Sequence, residues 1–282
     1  MRLISLTALT MLAFAANSIL TRMAIEGGHI DPSSFAAIRI VAGAIALAMI
    51  LTVRGGGLPL FERARIVGAL SLAAYMIGFS LAYATLDAGL GALILFGVVQ
   101  VTIFIWGALR GATPSTRQLS GASLAFVGLL IALWPSEGST SSVAGTALMV
   151  IAGLGWAAYT LVGRGATNPL AATAANFVLA MPLLMILLVG QSLNANIIGI
   201  GLAILCGAVT SGLGYSLWYA VLPKMTATTA AIVQLSVPII AIAAGAVFLG
   251  EVVSLLIVIA AALVVGGIAL AVTTRSVPTD HT

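Results

Sequence analysis

Residues 14–22 read Phe14-Ala15-Ala16-Asn17-Ser18-Ile19-Leu20-Thr21-Arg22, and residues 156–164 read Trp156-Ala157-Ala158-Tyr159-Thr160-Leu161-Val162-Gly163-Arg164. Both segments run from an aromatic-Ala-Ala start through a polar position to an Arg. Two further matches follow in the same order. Asp31-Pro32 corresponds to Asn168-Pro169, and the segment Gly78-Phe79-Ser80-Leu81-Ala82-Tyr83 corresponds to Gly214-Tyr215-Ser216-Leu217-Trp218-Tyr219. Ordered matches sharing Arg, Pro, Gly and Tyr indicate that the chain is built twice.

What the repeated unit contains follows from composition. Of 282 residues, 61% are hydrophobic and 6% charged, against roughly 25% charged in soluble domains. So few charges cannot cover a water-exposed surface, and most of the chain must face lipid. A helix needs about 20 mostly apolar residues to cross a bilayer. Ten such runs lie between the breakers, at roughly 3–25, 32–53, 66–86, 90–109, 117–134, 143–163, 170–189, 197–220, 226–249 and 252–273. The expected fold is an all-α polytopic membrane protein of ten transmembrane helices. The first five-helix repeat occupies 1–136. The second, with a short C-terminal tail, occupies 137–282.

Charge orients the spans. Lys and Arg concentrate in cytoplasmic loops. With the N-terminus inside, Arg2, Arg54, Arg63, Arg65, Arg110, Arg117, Arg164, Lys224 and Arg275 all fall inside. Glu26, Asp31, Asp87, Glu137 and Glu251 fall outside. This sorting expects a bacterial cytoplasmic membrane location with both termini cytoplasmic. The net charge of +4 is therefore a topology signal. The basic residues are scattered singly, unlike the clustered face of a nucleic-acid binder. Arg2 and Ala13-Phe14-Ala15 resemble a signal peptide. However, the apolar run continues past Ala15 and the repeat uses residues 14–22, so span 1 is expected to stay. The lone Cys206 permits no disulfide framework and is read as a small buried apolar residue.

Five spans is an odd number, so the second copy enters the membrane inverted. Inverted repeats around a midplane site are a common secondary-transporter architecture. The aromatic-Ala-Ala segments ending at Arg22 and Arg164, the Phe248-Leu249-Gly250-Glu251 stretch, Pro238 and Gly266-Gly267 resemble the drug/metabolite transporter superfamily, in its ten-helix EamA-type exporter branch. Within that branch the chain is similar to bacterial exporters of aromatic and other amino acids. The first half departs from the pattern, with Ser115 or its neighbours where a Glu251 equivalent belongs and no match to Pro238. The resemblance implies export of small metabolites, amino acids including aromatic ones, by alternating access around a central cavity. Export of drugs or organic cations is the alternative. A passive channel or an intramembrane enzyme are readings of other classes. Enzymatic activity is not expected, since no His-Glu-x-x-His motif, Gly-x-Ser-x-Gly elbow or intramembrane Asp pair occurs. No cofactor or metal is expected. The partners are a small-molecule substrate and membrane lipid, with a monomer expected and a dimer as the alternative.

Polar and aromatic residues within the spans mark the candidate site. Arg39 lies seven residues beyond Pro32, ~10 Å along span 2. Charges inside spans usually face the bundle interior or a wet cavity, so Arg39 is read as attracting a substrate carboxylate. Bonding to helix carbonyls or snorkelling is the competing reading. Arg22, nearer the surface, is expected to snorkel. Asn17 and Gln100 should point inward, as lipid cannot satisfy them. Asn176 and Gln234 share that logic, and interhelical bonding explains all four equally well. Tyr75, Phe79 and Tyr83 form an i, i+4, i+8 stripe, Trp156 and Tyr159 sit within span 6, and Tyr215 is the repeat partner of Phe79. Together they are read as an aromatic-lined pocket, with ordinary packing as the competing reading. Trp106, Trp134, Trp218 and Tyr219 are read as interface belts. Pro182 and Pro238 are candidate hinges.

No Asp or Glu lies at mid-membrane depth, where proton-coupled pumps often carry one. Coupling through a peripheral acid such as Glu251 is one reading. Transport down the substrate gradient is the other, and it sets the expectation. Substrate efflux from proteoliposomes should proceed without a pH gradient, and strict dependence on an imposed gradient would sink this reading.

Overall fold

Short polar side chains start the helices where the sequence places its breakers. Asp31 Oδ1 accepts from the Ser34 backbone N–H at 2.9 Å, with Pro32 opening the helix. Asn168 Oδ1 accepts from Ala171 N–H at 3.1 Å, with Pro169 following. Each pair satisfies one orphan donor of the first turn and uses a Pro where no N–H is needed. Ser142 and Asn196 cap in the same way.

The structure, a computed structural model, describes residues 2–110, 115–132, 142–190, 193–225, 230 and 233–272. Its helices are α1 (Arg2–Glu26), α2 (Pro32–Val53), α3 (Arg63–Ala82), α4 (Ala88–Leu109), α5 (Thr116–Ala132), α6 (Val143–Gly163) and α7 (Pro169–Met185). They continue with α8 (Ile197–Leu205), a π-helical segment Cys206–Leu213, α9 (Gly214–Val221), α10 (Ser236–Phe248) and α11 (Leu255–Val272). α8, the π segment, α9 and a closing 3-10 turn, Leu222–Lys224, run on as one 28-residue apolar helix. Among the described residues, seven helices are long and apolar enough to cross a membrane. α5, α10 and α11 occupy three of the other expected spans. Trp134, Arg275 and the expected boundary between the halves at 136/137 lie outside the described residues.

The helices pack in a definite pattern. α2 lies on α7, and α5 on α11. α3 packs on α6 and α7, while α2 packs on α8 and the π segment. α4 packs on α6 and α10, and α1 packs on α9 and α10. One buried apolar cluster runs through α1, α2, α3, α4, α6, α7 and α9. Apolar side chains such as Leu12, Ile45, Met49, Ile66, Leu70, Ile105 and Phe126 lie on the outside. Exposed apolar surface on this scale marks a membrane interface.

At one crossing a glycine is obligatory. A β-carbon on Gly207 would lie 2.1 Å from the Arg39 carbonyl oxygen, so the π segment and α2 touch backbone to backbone. This close approach brings Ser211 onto the Arg39 side chain and Thr210 onto its partner Asn17. Gly201, one turn and a half earlier, has nothing within 4 Å of its position. Overpacking a tight core costs about 1–3 kcal/mol, and here the obstacle is backbone. Gly207→Val should therefore lose folded yield and thermal stability on detergent chromatography, whereas Gly201→Ala should match the wild type. Equal stability of the two variants would refute the crossing.

Candidate functional site

A guanidinium in mid-helix needs donors' partners on every side, and Arg39 finds neutral ones. It is fully buried. Nε donates to Ser211 Oγ at 2.8 Å. Nη2 donates to Tyr215 OH at 2.7 Å, Tyr75 OH at 3.2 Å and Asn17 Oδ1 at 3.3 Å. Nη1 makes no hydrogen bond. The guanidinium carbon stands 5.0 Å from the Phe79 ring centroid and 5.5 Å from that of Tyr75. No carboxylate of the described residues pairs with it. These partners come from α1, α3, the π segment and α9, so one charge ties four elements together.

The partners form a network of their own. Tyr215 OH donates to Tyr75 OH at 2.9 Å. Asn17 Oδ1 accepts from Thr210 Oγ1 at 2.7 Å and Ser211 Oγ at 2.9 Å. Aromatic rings close around it. Trp156 lies 4.7 Å from Tyr215 and 5.0 Å from Tyr75, centroid to centroid, and Phe14 meets Trp156 edge-on at 5.1 Å. Trp156 Nε1 donates to Gln234 Oε1 at 3.4 Å. Phe14, Asn17, Ser18, Tyr75, Phe79 and Trp156 are among the residues enclosing a void that has room for about one water. The pocket expected from the sequence is present as a set of rings, packed shut.

The expected residues thus divide. Arg39, Asn17, Tyr75, Phe79, Trp156 and Tyr215 meet at one place. Tyr83 is buried at the Ala88 end of the stripe, its hydroxyl donating to Ala88 O at 3.3 Å. Tyr159 is buried on the opposite side of Trp156, stacked on it at 5.5 Å and on Tyr219 at 4.8 Å. Gln100 is buried on α4, one turn beyond Phe96, and does not border the void. Pro182 lies inside α7 near its end. Pro238 falls in the first turn of α10, just after a break at Leu235, where its missing N–H leaves no orphaned partner in a continuous helix.

Three sequence readings change. Trp218 and Tyr219 are fully buried and so are not interface belts. Tyr219 packs against Gly163 and donates to Tyr159 O at 2.9 Å. Arg22 does not snorkel. It is buried, pairs with Glu26 at 2.9 Å and Asp87 at 3.3 Å, and donates to Tyr83 O at 3.1 Å. Beside it, Glu251 accepts the first N–H groups of α4, from Ala88 at 2.5 Å and Gly89 at 3.2 Å. Burial pushes the Glu251 carboxyl above its ordinary range, and the nearby Asp87 charge adds to this, against the pull of those N–H groups. Asp31 goes the other way. Despite burial, hydrogen bonds from Ser34 and Asn194 hold it below the ordinary range.

The comparisons with known proteins agree with a membrane transporter. Residues 143–273 match the EamA-like transporter family. An uncharacterized protein of Pseudomonas aeruginosa is 45% identical over 97% of this chain and 96% of its own. Two uncharacterized transporters of Archaeoglobus fulgidus are 26% and 28% identical, over 74% and 56% of this chain and 76% and 56% of their own. One crystal structure matches with a TM-score of 0.70 at 18% identity, covering 95% of this chain and 98% of that one. At that identity the likeness is one of fold.

Proposed function

We propose a specific transport activity from one premise: the chain belongs to the EamA-like transporter family and is a membrane transporter. It exports amino acids, aromatic ones included, or similar small carboxylates, by alternating access around Arg39. The observation that carries this reading is the bonding of Arg39. A fully buried guanidinium with no acidic partner among the described residues, and with Nη1 unbonded, lacks the anion that such a charge normally holds.

A substrate carboxylate supplies that anion, and the rings supply the rest of the fit. Phe14, Phe79, Trp156 and Tyr215 offer faces for a flat side chain, and an ammonium over a ring gains about 2 kcal/mol when desolvated. Organic cations without a carboxylate fare worse. Within ~4 Å of the guanidinium, a cation meets about 4 kcal/mol of repulsion at an effective dielectric near 20. Family membership favours transport over catalysis, and the closed packing of the site is unlike an open channel.

The helix pattern supports two inverted repeats of five spans. Exchanging each span with its counterpart five places on maps the main helix pairs onto one another. α3 on α6 becomes span 8 on α1, and α4 on α6 becomes α10 on α1. α2 on α7, α4 on α10 and α5 on α11 map onto themselves. In this ten-span reading both termini lie in the cytoplasm of a bacterial cell. Because the void admits about one water, substrate must enter by a rearrangement of the halves. Pro182 and the break before Pro238 are candidate hinges for it.

Removing Arg39 discriminates between substrate types. Hydrogen bonds to charged groups contribute about 1.5–3 kcal/mol, so Arg39→Gln should weaken carboxylate-bearing substrates roughly 10- to 100-fold. Cations lacking a carboxylate should change little or improve. Transport assays with L-phenylalanine and phenethylamine, which differ by the carboxylate, check this. Equal losses for both would make Arg39 structural.

A further inference from the structure

A third buried arginine, after Arg39 and Arg22, lies at the other end of the aromatic column. Arg65 occupies the first turn of α3 and is 3% exposed. The Glu62 carboxylate stands 3.4 Å from its Nε, itself 61% exposed, without hydrogen-bond geometry. Nη1 has no hydrogen-bond partner. One turn on, the same face of α3 carries Gly68, where a β-carbon would lie 2.5 Å from Asn176 Oδ1 of α7. Asn176 is fully buried beside the Tyr159 and Tyr219 hydroxyls, and neither its oxygen nor its nitrogen has a hydrogen bond of ordinary geometry. The Tyr159 hydroxyl of α6 faces Asn176, Tyr219 and Thr173 and also lacks a bond of ordinary geometry.

Buried polar groups are almost always hydrogen-bonded. Here three side chains from three helices share the same deficiency, and each can donate. Arg65 and Gly68 lie one turn apart on α3, which sets the guanidinium one turn from the Gly68–Asn176 contact. Convergent donors around a buried positive charge suit an oxyanion. Of the three, Arg65 is the one open to entry, since it lines a cavity of about 210 Å³ between the 57–62 loop and residues 165–172. That cavity reaches the surface at the exposed residues Gly57, Glu62, Gly165 and Thr167. In the other direction Tyr159 stacks on Trp156, and its ring lies 6.1 Å from that of Tyr215, whose hydroxyl holds Arg39.

We propose that Arg65, Asn176 and Tyr159 form a second oxyanion subsite, on the cytoplasmic side, which holds the substrate carboxylate before it reaches Arg39. This rests on the carboxylate reading of Arg39. Glu62 occupies the edge of Arg65 when no substrate is there and gives way to it. A lipid phosphate offers the same chemistry, so the test must separate the two sources.

Orientation-sorted proteoliposomes of phosphatidylcholine, with or without phosphatidylglycerol, provide the test. Initial rates are measured with L-phenylalanine and phenethylamine presented at either face. Arg65→Gln should raise the half-saturating concentration of L-phenylalanine about tenfold at the cytoplasmic face. It should stay within twofold at the opposite face and for phenethylamine. Asn176→Ser should give a smaller shift of the same pattern, and serves if Arg65→Gln does not fold. Equal shifts at both faces or for both probes would overturn the subsite. So would an effect confined to phosphatidylglycerol, which would assign the site to lipid. If Arg39→Gln also treats both probes alike, the carboxylate reading itself fails. If Arg39→Gln discriminates and Arg65→Gln does not, only the second subsite fails.

Discussion

A guanidinium cannot stay buried in a membrane bundle unless the surrounding helices are built to hold it. Arg39 is held by hydroxyls and an amide, not by a carboxylate. Each of these donors' partners is itself fixed by a neighbour, so the charge, the Tyr75–Tyr215 pair and Asn17 stand or fall together. The π segment follows from the same constraint. It delivers Thr210 and Ser211 to one point while Gly207 rests on the backbone of α2. π insertions of this kind recur at functional sites. Neutral partners satisfy hydrogen bonds but leave the charge itself unbalanced. That imbalance is what an anionic substrate can relieve on one side of the membrane and restore on release.

The layers on either side of Arg39 follow from the same economy of charge. Toward the expected outside, Arg22 is matched by Glu26 and Asp87, and Glu251 covers the start of α4. These groups tie α1, α4 and the segment before α11 together. Toward the expected inside, the basic residue is Arg65 and its only ion partner among the described residues is the exposed Glu62. Pairing is thus tighter at one end of the aromatic column than at the other.

Much of this was legible in the sequence, for physical reasons that also mark where legibility stopped. Helix limits could be read because Asp31-Pro32 and Asn168-Pro169 are caps whose chemistry is local. Arg39, Asn17, Tyr75, Phe79, Trp156 and Tyr215 could be read because lipid rejects their polar tips or because the repeat pairs them. Ser211 and Thr210 were missed, since small hydroxyl residues are ordinary in membrane helices and a π segment leaves no mark in composition. Trp218, Tyr219 and Arg22 were misread for the opposite reason. Position near a span end suggests an interface, but Gly163 makes room for Tyr219, Phe14 packs on Trp218, and Glu26 with the distant Asp87 pairs Arg22. Arg65 looked like a loop charge until the packing of α3 on α6 and α7 buried it.

The contact on which the account depends can be measured directly. Solid-state NMR can detect the separation between carboxyl-¹³C L-phenylalanine and ¹⁵N-labelled arginine side chains in the membrane-embedded protein. A charge-assisted carboxylate–guanidinium pair places these nuclei within ~4 Å. The expected result is strong dephasing in the wild type that disappears in Arg39→Gln. Bound substrate without dephasing, or dephasing undiminished by the substitution, would contradict it.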